Sequence, residues 1–107
     1  TKDGLSQIII NVEAQKDEPG EYEILNRAIF YVSRLVSSQK ERDFENSSYN
    51  DIKRVYSIWI CMNMEENTMS HIHLTKEDLI GSYEWKGNLD LINIVMIGLA
   101  KELPEHD

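Results

Sequence analysis

The sequence predicts an α/β domain from three stretches: a strand-type run at residues 7–15, a long amphipathic helix pattern at 21–42, and a second strand-type run at 55–62. A helix between two strands of one sheet implies a crossover connection, right-handed by rule, and hence a layered α/β sandwich with a mixed sheet. The 107 residues, 41% of them hydrophobic, suffice for one core and suggest a single domain. The apolar runs fall short of the roughly 20 residues of a membrane span, and the charged start is no signal peptide, so no membrane partner is expected. One cysteine, Cys61, sits in an apolar run, where it reads as packing; a reducing cytoplasm is the expected compartment.

Residues 1–4 read as a hairpin turn, because Asp3-Gly4 supplies the positive φ angles of tight turns. A hairpin needs an earlier strand, so the chain is expected to be an N-terminally incomplete piece of a longer domain. In the strand at 7–15, Ile8, Ile10, Val12 and Ala14 alternate with Ile9, Asn11, Glu13 and Gln15. The first set is expected to face the core, and the second to turn polar. Glu13 and Gln15 share a face, roughly 6.6 Å apart at about 3.3 Å per residue, a spacing that suits a site for metal and water.

Pro19-Gly20 breaks the chain before the helix. Leu25, Ala28, Ile29, Val32, Leu35 and Val36 recur at three and four and form the expected buried stripe, with Arg27, Tyr31, Arg34 and Ser38 as a second stripe beside it. Acidic residues in the first turn and basic ones near the end complement the helix dipole. Residues 44–51 read as a loop or a short helical turn. The run at 55–62 is rich in β-branched and aromatic residues and is expected to be a central strand covered on both faces, with Tyr56 and Trp59 in the core. Residues 69–74 form a shorter edge strand that puts His71 and His73 on one face; without a clear third ligand they read as surface residues. Residues 75–88 are irregular, with Thr75 able to cap one helical turn. Periodicity alone allows helix or strand at 89–99, and the Ile and Val content favours a strand over 89–97.

The formal net charge of −8 argues against a phosphate-backbone binder. Its distribution softens that argument: residues 1–26 carry two Lys/Arg against six Asp/Glu, residues 27–54 six against four, and residues 64–107 three against nine. The basic part is the middle, where the helix lies.

Asn11-Val12-Glu13-Ala14-Gln15, Tyr22, the run from Asn26 to Arg34, Gln39-Lys40, Tyr49 and the run from Val55 to Cys61 together resemble the PD-(D/E)XK nuclease family transposases. These are the recombination-promoting branch of the restriction-endonuclease-like superfamily. The resemblance covers residues 7–63 well and the remainder loosely. It implies a restriction-endonuclease-like mixed sheet with one long helix packed on it, and the core of a Mg²⁺-dependent DNA endonuclease, with Mn²⁺ as a substitute metal. Glu13 matches the metal-binding and catalytic glutamate, and Gln15 the last position of the E-x-K or E-x-Q motif. Carboxylates are hard oxygen ligands suited to Mg²⁺, and an amide can orient water without adding charge or acting as a base. Arg27, Tyr31 and Arg34 would then flank the site and meet a DNA phosphate, although the same stripe fits a solvated face.

The departure is the family's metal-binding aspartate. Asp3 lies at the turn, and the residue opposite Glu13 in the expected hairpin falls before Thr1, so the fragment by itself is expected to be inactive. The alternative is a catalytically decayed scaffold of the same fold, acting as a protein-interaction or dimerisation module; a homodimer is compatible with either reading.

Overall fold

The computed structural model describes residues 8–16, 23–39 and 49–101. Strand β1 (Ile8–Gln15) leads to helix α1 (Ile24–Ser37); a 3-10 turn (Tyr49–Asp51) precedes β2 (Arg54–Met64), and β3 (Thr68–His73) and β4 (Ile92–Ala100) follow. The four strands form one mixed sheet in the order β1-β2-β4-β3. β1 and β4 run parallel to β2 on either side of it, and β3 closes the sheet antiparallel to β4. The expected α/β class is thus the architecture found, a mixed sheet with one helix packed on it. The expected turn at residues 1–4 lies outside the described residues.

α1 lies on β2 and β4. Its buried residues are Ala28 and Val32, which meet Val55, Trp59 and Ile94 in the core, with Ile9, Ile24, Tyr31, Leu35 and Val36 packed around them. This rotates the helix from the expected stripe: Leu25 and Ile29 are exposed, and Ile24 and Tyr31 take their places. The physical reason is that the apolar arc of α1 is wider than the surface it buries, with Ile24 and Tyr31 on one flank and Leu25 and Ile29 on the other, so spacing alone leaves the burying flank undetermined. The partner decides, and the partner is Trp59.

Gln39 fastens the helix end to the sheet. Fully buried, it accepts a hydrogen bond from Lys53 N at 2.7 Å and donates to Lys53 O at 3.1 Å, pairing with the backbone one residue before β2 as a neighbouring strand would. At the far end of β2, Asn63 adopts a left-handed φ of 63° beside an irregularity in the β2–β4 register, and its amide donates to Lys16 O at 3.1 Å. The two parallel strands are therefore tied together beyond their last pair.

Two expectations for the strands are corrected. The face of β1 on the same side of the sheet as α1 carries Ile9, Asn11, Glu13 and Gln15, whereas Ile8, Ile10 and Val12 are exposed among the described residues. Likewise β2 is buried at Val55, Ser57 and Trp59 but only half-buried at Tyr56, Ile58 and Ile60. The covered face holds a polar network that satisfies its own hydrogen bonds, so it tolerates burial that an alternation rule assigns to apolar residues. Strand β4 begins and ends about three residues later than expected, and residues 74–91 hold no helical turn.

Candidate functional site

β1 carries Glu13 and Gln15 on the side of the sheet that bears α1, both half-buried. Register places Glu13 beside Trp59 and Gln15 beside Cys61 on β2. A hydrogen-bonded chain runs along this face: Trp59 Nε1 donates to Ser57 Oγ at 2.8 Å, Ser57 Oγ donates to Asn11 Oδ1 at 3.0 Å, and Asn11 Nδ2 donates to Glu13 Oε2 at 3.4 Å. Each donor leaves the next group's orientation fixed, so the carboxylate sits at the end of a directed relay that starts in the core. The last link is long, which leaves most of the carboxylate's acceptor capacity for other partners.

α1 brings two of the three expected substrate-binding residues to the same place. The Tyr31 ring meets Trp59 edge-on at 6.2 Å between centroids, and the Arg27 guanidinium carbon lies 5.6 Å from the Trp59 ring centre. Arg27 thus spends its charge partly on an aromatic face. Arg34, one further turn along, stands exposed in the last turn of the helix. The stripe read from the sequence is therefore split: Tyr31 belongs to the packing face, Arg27 to its rim and Arg34 to solvent.

Gln15 also lines a cavity of about 110 Å³ at the carboxyl ends of β1, β2 and β4, together with Ile24 at the start of α1, Cys61, Met64, Met96 and Gly98. The carboxyl ends of parallel strands are where open α/β sheets hold ligands. Sequence reasoning missed this cavity. One signal for it is Gly98: a Cβ there would lie 2.7 Å from Thr68 Oγ1 and 3.3 Å from Met64 Cγ, so glycine leaves room for the side chains of Thr68 and Met64 against the end of β4. Glu13 does not line the cavity; it stands two residues before it on the same strand.

For a hard divalent cation the donor set fits in part. Glu13 offers one anionic oxygen ligand and Gln15 a neutral amide, and among the described residues no three His, Cys, Asp or Glu side chains come together as a metal-holding group. Mg²⁺ binds through one or two carboxylates and keeps several waters, so Glu13 is the residue that would hold it. No family model, curated protein or solved structure matches the chain.

Proposed function

We propose that the chain is the core of a Mg²⁺-dependent DNA endonuclease of the PD-(D/E)XK transposase type. The observation that supports this best is the β1–α1–β2 unit, which sets Glu13 and Gln15 on one face of a strand parallel to β2 and aims Arg27 of α1 at the same region. Glu13 is the metal ligand and Gln15 positions water, while Arg27, Tyr31 and Arg34 contribute to holding the DNA backbone. A bound Mg²⁺ would acidify that water and neutralise charge developing on the phosphorus. Arg27 and Arg34 offset part of the repulsion that a chain of net charge −8 exerts on DNA.

The test is plasmid cleavage with Mg²⁺ or Mn²⁺ by the intact protein and by its Glu13→Gln variant. Cleavage should fall by two orders of magnitude or more in the variant, with DNA binding changed far less and thermal unfolding nearly unchanged. Undiminished cleavage by a folded Glu13→Gln protein would remove this residue from the mechanism.

A second reading has its own observation. Ile8, Ile10 and Val12 are exposed together on the face of the sheet opposite α1, which bears no helix among the described residues, and exposed apolar patches of this kind mark interaction surfaces. On that reading the fold is a scaffold for protein contacts or dimerisation, and Glu13→Gln is silent in every assay while Ile10→Lys abolishes concentration-dependent association in sedimentation.

A further inference from the structure

The face of the sheet opposite α1 also carries a cluster that the nuclease reading does not use. His71 and His73 stand on the same side of edge strand β3, their rings stacked at 4.5 Å between centroids and 27° between planes. Tyr56 of β2 lies against His71 at 6.3 Å and 24°. The same face continues to Asn93, which register places opposite His73 on one side and Tyr56 on the other.

Asn93 settles which nitrogen of His71 carries a proton. Its side chain is buried, and its Nδ2 donates to Asp90 O at 2.8 Å and to Val55 O at 3.4 Å. Carbonyl oxygens only accept, so the amide nitrogen must face them and Oδ1 must face His71 Nε2, 2.8 Å away. An acceptor opposite Nε2 requires that nitrogen to be the donor. In the neutral ring the lone pair is then on Nδ1.

This is the arrangement of a metal-binding histidine: one ring nitrogen is tied to an oriented oxygen acceptor, and the other is left as a σ-donor. Stacked rings in near-parallel planes do not point both lone pairs at one ion, so chelation turns the exposed His73 side chain towards His71, whose own ring is held by Asn93. From this geometry we propose that His71 and His73 form a two-histidine site for a borderline divalent transition metal such as Zn²⁺, Ni²⁺ or Cu²⁺, with Asn93 as the positioning residue for His71. Imidazole selects these ions over Mg²⁺ and Ca²⁺. Both histidines are exposed, so the remaining coordination positions are open to water. The nearby carboxylate of Asp90 is drawn to Arg54, whose Nε lies 3.0 Å from Asp90 Oδ2 as a charge contact rather than an aligned hydrogen bond. The site lies on the opposite face from Glu13 and is independent of the proposed nuclease centre.

The probe is Zn²⁺ added to the 107-residue chain in a non-chelating buffer, read by calorimetry and by nitrogen-detected imidazole resonances. One Zn²⁺ should bind per chain, the metal-free His71 should show the Nε2–H tautomer, and both His71 and His73 resonances should move. His71→Gln and His73→Gln should each weaken binding at least tenfold without lowering the melting temperature. Asn93→Ala, which removes the acceptor oxygen, should weaken binding and let metal-free His71 in the folded chain populate both tautomers. His106→Ala and Cys61→Ser, which remove the other histidine and the thiol, should bind as the unaltered chain does. An absence of binding at millimolar Zn²⁺, unchanged affinity in folded His73→Gln, or loss of binding in His106→Ala or Cys61→Ser would overturn the proposal.

Discussion

Ile94 and Ile10 are the same residue type on strands of one sheet, yet Ile94 is 2% exposed and Ile10 63%. They stand on opposite faces, and the faces differ in what covers them. Beneath α1, the core cluster of Val55, Trp59 and Ile94 is continuous with a polar chain from Trp59 to Glu13. On the other side, Ile8, Ile10 and Val12 continue into half-buried Ile58, Val95 and Ile97 with no helix over them among the described residues. Parallel strands are ordinarily covered on both sides, because their connections lay helices on both faces. The lesson is that apolar content does not decide burial here; the covered face is the one whose polar groups satisfy one another between β1 and β2.

The sharpest way to break this comparison is to remove the side chain that organises the covered face. Trp59 is wholly buried, receives Tyr31 and Arg27, and donates to Ser57. Trp59→Ala should cost about 3 to 5 kcal/mol, for the lost transfer energy and the cavity it leaves. Denaturant titration of the two proteins measures it, and a cost under 1.5 kcal/mol would mean that α1 does not pack as described.

Next comes Ile94→Thr. It keeps β-branching, hence strand propensity, but loses a methyl-sized group worth about 1 kcal/mol and buries a hydroxyl at about 1 to 3 kcal/mol. A loss of about 2 to 4 kcal/mol in the same titration is expected. Gln39→Ala should follow at about 1 to 3 kcal/mol, since it strands Lys53 N–H and the Lys53 carbonyl without their partner. Hydrogen exchange at the Lys53 amide should accelerate in that variant, and unchanged protection would show that Gln39 is not what holds the start of β2.

Much of this fold is legible in the sequence. The alternation at 7–15, the helical repeat at 21–42, of which 24–37 forms the helix, and the β-branched run at 55–62 each mark an element, because their periods are properties of the local backbone. Which face each element buries is not local. The exposure of Ile10 beside half-buried Asn11 and Glu13 depends on where α1 lands, and α1 carries apolar residues on both flanks. For the candidate site, the E-x-Q spacing placed Glu13 and Gln15 on one face, as found. The involvement of Trp59 as the surface that gathers Arg27 and Tyr31 needed tertiary structure, as did the pairing of Asn93 with His71, which are 22 residues apart.

The smallest expected effect is Ile10→Thr, the counterpart of the Ile94 substitution on the other face. The chemistry removed and added is identical, so propensity and side-chain volume cancel between the two variants and the difference reports covering alone. At a largely exposed position the hydroxyl stays hydrated and few contacts are lost, and the cost should lie within about 0.5 kcal/mol. The comparison then spans about 2 kcal/mol or more between two isoleucines of one sheet. A loss above about 1.5 kcal/mol at Ile10 would show that another layer lies on this face in solution. Melting at several protein concentrations identifies that layer: a midpoint that rises with concentration in the unaltered chain but not in Ile10→Thr places a second copy there, and a midpoint independent of concentration places a segment of the same chain.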